Sequence, residues 1–367
     1  MPASLDRLLS DFNSGRISTL ARAVSVVENR RPGFDELLSA LHSRTGRARR
    51  IGLTGPPGAG KSTITALLVA SYRKAGLRVG VIAVDPTSPF TGGALLGDRV
   101  RMEAIALDSG VFIRSMATRG SLGGLASATR EVADVLDAFG FDRILIETVG
   151  VGQSELDVAR TADSTLVILM PESGDSIQTL KAGVMEIADI FVVNKADRPG
   201  ADRLGNDIEL MLGLRKGVSF SNAPAHHGVD LKRVRPAKIA REAAAAAAGT
   251  GTGAWTPPVL SAIAREEKGI DDIVGALDRH FAYLERTGRL AERRRERTRE
   301  RVRELVEQRF RERLWGDAAT VANLEGMLPD IERRAATPFG AAERILRESA
   351  DVMRGDRKKV EPEKGAK

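Results

Sequence analysis

A glycine-rich segment beginning at residue 55 has the composition of a loop that binds phosphate. Its sequence, Gly55-Pro56-Pro57-Gly58-Ala59-Gly60-Lys61-Ser62 followed by Thr63, matches the eight-position phosphate-loop pattern between an apolar run and a helix. Glycine lets backbone N–H groups turn inward around phosphate oxygens, at a helix start whose dipole favours anions. We expect Lys61 to reach the β- and γ-phosphates and Ser62 to bind Mg²⁺ through its hydroxyl. The segment predicts nucleotide binding but does not select the base.

A second loop, Asn194-Lys195-Ala196-Asp197, carries the information about the base, and it directly follows an apolar run. The Asp197 carboxylate can accept hydrogen bonds from the N1–H and the exocyclic amine of guanine. Adenine offers no such pair of donors and would leave the carboxylate unpaired. Ser261-Ala262-Ile263 follows a later apolar run and fits a final guanine-contacting loop. Together these segments predict GTP and GDP as ligands.

Two acidic residues at the ends of apolar runs are candidates for holding the Mg²⁺ that accompanies the phosphates. Asp85 ends one run, and Glu147 opens the segment Glu147-Thr-Val-Gly150 after another. We expect Glu147 to bind Mg²⁺ through water and the Gly150 N–H to contact the γ-phosphate. Asp85 has an alternative explanation as a strand-end turn with Pro86.

Hydrolysis is predicted to be slow without a partner. Val151 follows Gly150, where Ras-like GTPases carry the glutamine that orients the attacking water. Gln153 stands two residues further on, but its spacing gives no reason to assign it that role. We therefore expect a partner or a dimer contact to accelerate hydrolysis.

These loops require a sheet that brings the ends of several strands together. Apolar runs that alternate with helical segments lie at 51–53, 79–84, 111–113, 143–146, 165–170, 190–193 and 259–260. Helices are predicted at about 62–75, 121–139, 178–187 and 202–213. Because the runs are apolar on both faces, the pattern indicates an α/β fold with a mainly parallel sheet covered by helices on both sides.

The remaining chain flanks this domain. The predicted parts are an N-terminal helical extension (1–47), a G domain (48–268) with an irregular surface insertion (215–257), a C-terminal helical arm (269–355) and a charged tail (356–367). The arm is predicted to begin with a long helix whose charged stretch, 286–301, projects from the main domain and whose later apolar stripe is buried elsewhere. A shorter helix is predicted at 343–353.

Composition limits the classes of function. The 367 residues contain no cysteine, which excludes disulfides and thiolate chemistry, and the formal charge is +7. Much of the positive charge lies in 286–313, where acidic residues are interleaved with arginines, as in Arg-Arg-Arg-Glu-Arg at 293–297. This pattern favours a solvated helix face laced with ion pairs over nucleic-acid binding. Without a signal-like or membrane-spanning segment, the chain is expected to be cytoplasmic and to bind no membrane. For the pair His226 and His227, a surface position is favoured over a metal site, because no cysteine and no nearby carboxylate cluster completes a set of ligands.

Several segments together resemble the MeaB/ArgK-type GTPases, a family of the signal-recognition and MinD-like (SIMIBI) class. The resemblance covers about 1–315 and rests on the phosphate loop, Val84-Asp-Pro-Thr-Ser88, Gly93-Ala-Leu-Leu-Gly-Asp-Arg-Val-Arg-Met102, Glu147-Thr-Val-Gly-Val-Gly-Gln-Ser-Glu155 and Asn194-Lys-Ala-Asp197. It implies a GTP-hydrolysing chaperone that gates adenosylcobalamin loading and protection of a cobalamin-dependent acyl-CoA mutase. It also implies a homodimer formed through the C-terminal arm.

The resemblance further implies roles for residues that spacing alone does not assign. Asp98 matches a catalytic residue on the Mg²⁺ side of the site, alongside Lys61, Glu147 and Gly150. A partner-coupled switch is implied at Glu172, Asp175, Gln178 and Lys181, with Lys181 also counted among the catalytic residues.

Two departures from the family leave the partner's identity open. About forty residues separate the helix after the Asn194–Asp197 loop from Trp255-Thr-Pro-Pro258, whereas family members usually have few residues there. The chain beyond 316 also matches the family poorly. Methylmalonyl-CoA mutase is the default partner, and a mutase acting on isobutyryl-, ethylmalonyl- or hydroxyisobutyryl-CoA is the alternative. A nickel or zinc metallochaperone GTPase and, less favoured, a kinase of a transport system are competing functions.

Overall fold

A parallel sheet forms the centre of the protein. The computed structural model describes residues 3–86, 107–118, 124–148, 154–171, 185–215 and 253–349. The strands are β1 (Arg49–Thr54), β2 (Val79–Pro86), β3 (Val111–Thr118), β4 (Arg143–Thr148), β5 (Ser164–Leu169), β6 (Ile190–Asn194) and β7 (Val259–Ala262). Their order is β3-β2-β4-β1-β5-β6-β7, with every neighbouring pair parallel. Each apolar run identified in the sequence is a strand, and the predicted α/β class is confirmed.

Helices cover both faces of this sheet. In chain order they are α1 (Ala3–Asn13), α2 (Ile17–Glu28), α3 (Phe34–Leu41), α4 (Lys61–Lys74), α5 (Gly124–Phe139), α6 (Ser154–Thr161), α7 (Met185–Ile187), α8 (Ala201–Arg215) and α9 (Ile270–Arg286). Short 3₁₀ turns occur at His42–Arg44 and Ala264–Glu266. The predicted helices at 62–75, 121–139 and 202–213 correspond to α4, α5 and α8. Of the helix predicted at 178–187, residues 178–184 lie outside the described residues.

Successive side chains of a strand point to opposite faces of the sheet, so the core has one layer on each face. In β4, Ile144 and Ile146 pack with α1, α2 and α5, whereas Leu145 packs on the opposite face with α4 and α9. A third cluster places α8 against β5 and β6, whose residues are all buried. The N-terminal helices join the first layer, where Phe12 meets Phe139 edge-on at 4.9 Å between ring centroids. They pack beside the main domain, as predicted.

The chain divides into two compact units, Met1–Arg294 and Arg295–Lys367. The division falls within α10 (Arg289–Gly316), which is followed by α11 (Ala318–Glu332) and α12 (Pro338–Glu348). Side chains of Asp317 and Thr337 cap α11 and α12 by accepting hydrogen bonds from the N–H groups of Thr320 and Gly340. The predicted domain boundaries remain predictions.

The arm differs from its predicted form in three respects. Gly288, with φ of +74°, separates α9 from α10, so the predicted long helix is two helices. Within the single chain, Val302, Val306 and Phe310 of the later apolar stripe are about half exposed, and Leu314 joins the small core of the second unit. Burial of this stripe elsewhere stays a prediction. No predicted helix corresponds to α11, and the helix predicted at 343–353 begins earlier, at Pro338. Within the described ranges, no helix combines the length and apolar character needed to span a bilayer.

Candidate nucleotide-binding site

The predicted phosphate loop connects β1 to α4, and its backbone lies directly against neighbouring strands. Gly55 has φ of +138°, and a Cβ placed there would lie 1.9 Å from the carbonyl oxygen of Ile168 in β5. Gly60 has φ of +92°, and a Cβ there would lie 2.3 Å from the Asn194 Nδ2 atom. Only glycine satisfies both the backbone conformation and the close approach at these positions.

Lys61 is the first residue of α4 and is buried beneath the loop. Its Nζ atom donates to the carbonyl oxygens of Gly55 at 2.8 Å and Pro56 at 3.0 Å. The ammonium group is therefore held at the start of the helix, where the first N–H groups point outward and the helix dipole is positive. A cation and oriented N–H donors at one point fit the oxygens of a phosphate group.

Glu147 and Ser62 meet at the carboxyl edge of the sheet. Strand β4 lies beside β1 with Glu147 opposite Leu53, so the ends of both strands reach the same edge. Leu145 packs against the α4 side, and Glu147, two residues further on, points to that side as well. The Ser62 hydroxyl donates to Glu147 Oε1 at 2.5 Å, and the carboxylate is almost fully buried.

Hydroxyl and carboxylate oxygens are the protein ligands that Mg²⁺ prefers, directly or through water. Ser62 and Glu147 supply both kinds of oxygen next to the phosphate loop, so the residues present fit this ion. Asp85 belongs to the end of β2, which brings its backbone to the same edge of the sheet, but its side chain lies outside the described part. Asp98 lies outside the described residues altogether. Among the residues that are described, no group of three or more His, Cys, Asp or Glu side chains is assembled.

Asn194 joins the phosphate loop to the predicted guanine loop. Its Nδ2 atom donates to the carbonyl oxygen of Ala59 at 2.8 Å, and its Oδ1 atom accepts from the Ala264 N–H at 3.1 Å. The side chain is buried. The two ends of the amide therefore hold two backbone segments, the phosphate loop at Ala59 and the chain after Ile263 at Ala264. Asn194 thereby fixes the distance between the phosphate loop and the predicted guanine loops.

The other members of the predicted guanine loops lie at the ends of β6 and β7. These strands pair with Asn194 opposite Ala262, and the Ala196 N–H donates to the Ala262 carbonyl oxygen at 3.0 Å. Lys195 adopts φ of +57°, and its Nζ atom lies 3.3 Å from the Met170 sulfur. After this turn, Asp197 is exposed. Ser261 is likewise exposed, and the structure brings both loops to one side of the phosphate loop.

Ile263 follows β7 and closes the last loop. Its N–H donates to the Lys268 carbonyl oxygen at 3.1 Å, and the Lys268 N–H donates back to Ile263 at 3.3 Å. Gly269 makes this closure possible, since a Cβ there would lie 2.4 Å from the Ser261 carbonyl oxygen.

The remaining predicted site residues lie outside the described residues. They are Gly150, Val151 and Gln153 of the loop after β4, Glu172, Asp175, Gln178 and Lys181 of the implied switch, and the pair His226 and His227.

Thr65 is a residue of this site that the sequence analysis missed. Its Oγ1 atom lies 2.8 Å from Glu147 Oε2, so the two oxygens of Glu147 face two hydroxyls of α4. A spacing of three residues from Ser62 places both hydroxyls on one helix face, and this spacing is the signal that could have identified it.

Charged residues are also buried at the opposite, amino edge of the sheet. Asp163 and Asp189 directly precede β5 and β6, and both carboxylates are buried. Arg293 donates to the two Asp189 oxygens at 2.8 and 3.1 Å. Arg294 donates to Asp163 at 2.8 and 3.2 Å. These two arginines of the charged stretch 286–313 form ion pairs, as predicted, but their acidic partners are buried carboxylates rather than neighbours on a solvated helix face.

The buried charged residues at the amino edge of the sheet also contact aromatic side chains, and their contacts lower the pKa of Asp189. His280 is fully buried, with Nδ1 2.8 Å from the Ser164 hydroxyl and Nε2 3.2 Å from Asp189. Trp255 donates from its indole N–H to the Asp189 carbonyl oxygen at 2.8 Å, so this end of the predicted surface insertion is packed. Burial acts to raise the pKa of Asp189, but the contacts with His280 and Arg293 outweigh burial and hold that pKa below its ordinary value.

Known proteins resemble this chain along most of its length. The family described as "Methylmalonyl Co-A mutase-associated GTPase MeaB" matches residues 20–319. A putative GTPase of Pyrococcus abyssi is 42% identical over 351 residues, which is 94% of this chain and 96% of that protein. The GTPase ArgK of Escherichia coli is 36% identical, covering 79% of this chain and 80% of that protein.

The fold has a match among solved structures. A crystal structure described as a LAO/AO transport system kinase superposes with a TM-score of 0.64 and 26% identity, covering 95% of this chain and 98% of that one. The matched family region contains the phosphate loop, Glu147 and the Asn194 loop together. The chain is a P-loop GTPase and belongs to the MeaB family of methylmalonyl-CoA mutase-associated GTPases.

Proposed function

We propose that this GTPase is a chaperone that gates the loading of adenosylcobalamin into a cobalamin-dependent acyl-CoA mutase and protects the loaded enzyme. The observation that carries the proposal is the family match over 20–319, because it spans the nucleotide loops and the start of the arm in one block. The family is described by its association with methylmalonyl-CoA mutase, which makes that mutase or a relative the first partner to test.

The proposed nucleotide contacts follow from the geometry at the carboxyl edge of the sheet. The phosphates lie on Gly55–Thr63, with Lys61 supplying positive charge. The base is read by Asp197, and Asn194 holds the base loop at a fixed distance from the phosphate loop. Lys195 and the Ser261-Ala262-Ile263 segment complete the base-binding side.

Mg²⁺ is proposed to bind at Ser62 and Glu147, with Asp85 and Asp98 assigned from sequence. When bound, the ion would neutralise charge on the β- and γ-phosphates. Lys61 would add a second positive charge, and the Gly150 N–H would donate to the γ-phosphate. Since Val151 supplies no water-orienting group, hydrolysis by the isolated protein is expected to remain below about 1 s⁻¹.

Coupling to the mutase is proposed to act through the switch residues Glu172, Asp175, Gln178 and Lys181. The protein is proposed to act as a homodimer through its C-terminal arm, 269–355. Half-exposed apolar residues on α10, among them Val302 and Val306, are consistent with a surface that becomes covered in an assembly.

The experiment that tests the proposal is capture of partners from cell extract on the immobilised protein with a non-hydrolysable GTP analogue. The expected result is recovery of a cobalamin-dependent mutase, and GTPase stimulation when that mutase is added in purified form. Capture with GDP serves as the matched control. Recovery of no such mutase, together with no stimulation by a purified one, would overturn the chaperone assignment.

The switch assignment has its own test. Lys181→Ala is expected to abolish stimulation by the mutase while leaving the affinity for GTP unchanged. Stimulation equal to that of the native protein would reject the switch.

A kinase acting on a transport system is a second candidate, favoured by the description of the solved structure above. It predicts transfer of the γ-phosphoryl group from nucleotide to a protein acceptor rather than to water. Incubating the protein and extract with γ-labelled GTP and, separately, γ-labelled ATP distinguishes the two. A labelled protein acceptor would support the kinase, whereas release of free phosphate from GTP alone would support the GTPase chaperone.

A further inference from the structure

Thr65 makes a contact with Glu147 that the proposed Mg²⁺ contacts do not account for. Thr65 is fully buried on α4, and its Oγ1 atom lies 2.8 Å from Glu147 Oε2 and 3.0 Å from the carbonyl oxygen of Lys61. A hydroxyl carries one proton, so it donates to one of these two acceptors at a time. The Glu147 oxygen is the closer of the two acceptors, which favours donation to Glu147.

The two oxygens of Glu147 have different surroundings. Oε1 accepts from Ser62, the residue expected to bind the ion directly, while Oε2 accepts from Thr65 deeper in the helix–sheet interface. The Ser62 hydroxyl must orient its lone pair towards an ion, so its own hydrogen bond is the one that changes on binding. The contact from Thr65 does not depend on that change and holds the far oxygen in place.

A glutamate side chain has one more rotatable bond than an aspartate, so its carboxylate can leave a required position by rotation. Fixing one oxygen removes that freedom. We propose that Thr65 is a positioning residue of the Mg²⁺ site, which orients Glu147 through Oε2 so that Oε1 remains beside Ser62. This inference rests on the proposed function, namely that Mg²⁺ binds with the nucleotide at Ser62 and Glu147.

The test compares Thr65→Val, which removes the hydroxyl and retains the branched shape, with Thr65→Ser, which retains the hydroxyl. Ser71→Ala, further along α4, is the matched control for loss of a hydroxyl from the same helix. Affinity for a fluorescent GDP analogue is measured in EDTA and then during a titration with Mg²⁺. Thermal unfolding followed by circular dichroism checks that each variant is folded.

Loss of an outer-shell partner of a metal ligand typically costs about 10- to 100-fold in metal affinity. Thr65→Val is accordingly expected to raise the half-saturating Mg²⁺ concentration by roughly that factor, with GDP affinity in EDTA unchanged. Thr65→Ser and Ser71→Ala are expected to match the native protein. If Thr65→Val does not fold, Thr65→Ala carries the same expectation.

Three outcomes would overturn the inference. They are an unchanged Mg²⁺ requirement in Thr65→Val, an equal defect in Thr65→Ser, and an equal loss of GDP affinity in EDTA, which would indicate a purely structural role. A native protein whose nucleotide binding ignores Mg²⁺ would instead contradict the proposed ion site itself. The two failures are therefore distinguishable by the native titration alone.

Discussion

Asn194 Nδ2 donates to the carbonyl oxygen of Ala59 at 2.8 Å, which connects the end of β6 to the phosphate loop. Because the Oδ1 atom of the same side chain accepts from Ala264, one buried amide fixes three segments that are distant in sequence. The amide aligns the two loops that are proposed to bind the phosphates and the base.

Replacing Asn194 with alanine should lower the affinity for GTP and the affinity for GDP to a similar extent. The substitution leaves the Ala59 carbonyl and the Ala264 N–H without this partner, at a cost of about 1–3 kcal/mol. Titration calorimetry with each nucleotide measures the effect. Asn29→Ala, which removes an amide that donates to the Ser25 carbonyl oxygen at the end of α2, is the control. Native affinity in Asn194→Ala would show that the loops hold their spacing by other means.

Asp197→Asn should exchange the preferred base. The amide can no longer accept from both donors of guanine, and loss of such charged hydrogen bonds is worth about 100-fold in GTP affinity. Xanthine presents a carbonyl where guanine has the amine, so XTP should bind better than it does to the native protein. Displacement of the bound fluorescent GDP analogue by GTP and, separately, by XTP gives the ratio of the two affinities. Asp202→Asn, an exposed change at the start of α8, should leave the preference unaltered.

Gly55→Ala should both destabilise the protein and abolish nucleotide binding. The added Cβ meets the Ile168 backbone oxygen at 1.9 Å, and backbone cannot rotate aside as a side chain can. A cost of about 3 kcal/mol or more in unfolding free energy is expected. Gly76→Ala separates conformation from collision, because Gly76 also has positive φ but has nothing within 4 Å of the added atom. Equal effects at both positions in urea denaturation would show that collision at Gly55 is unimportant.

Asp189→Asn should lower the unfolding free energy by about 3–5 kcal/mol at neutral pH, as expected for breaking a buried charged pair. The folded-state pKa of Asp189 lies below its ordinary value of 3.8, so its contribution is complete above that pH and is lost as pH falls towards the folded pKa. The difference between native protein and variant should therefore shrink on acidification below 3.8.

Urea unfolding at stepped pH values measures this difference. Asp278→Asn provides the comparison, because Asp278 is half exposed in its pair with Arg49 and such pairs are worth about 0–1 kcal/mol. A difference for Asp189→Asn that stays constant with pH would contradict the assignment of its charge as the stabilising feature.

Much of the fold follows from local sequence, because each strand is an apolar run between breakers and the sheet is buried on both faces. The order of strands does not follow in the same way. Strand β4 lies between β1 and β2, although it comes after both in the chain, and periodicity carries no information about neighbours. Helix α6 was not predicted because its eight residues contain few apolar positions, yet Val158 packs against β1 at Gly52.

The phosphate and guanine loops could be proposed from the sequence because the chemistry of the ligand requires particular residue types at particular spacings. The partners that hold those residues were harder to predict. Thr65 is an ordinary helical residue until β4 brings Glu147 beside it. In the sequence, Arg293 and Arg294 look the same as their charged neighbours. Only the fold shows that they pair with Asp189 and Asp163, the buried carboxylates that precede β6 and β5.

The central position of β1 has a consequence for how the protein is made. The strand that carries the phosphate loop is among the first to leave the ribosome, but its neighbours β4 and β5 begin at Arg143 and Ser164. Contacts so distant in sequence close slowly, and Asn194 gains its second partner only after Ala264 has been synthesised. A nascent chain therefore carries a recognisable phosphate loop long before it has a nucleotide site, and GTP can stabilise only the chain that has nearly finished folding.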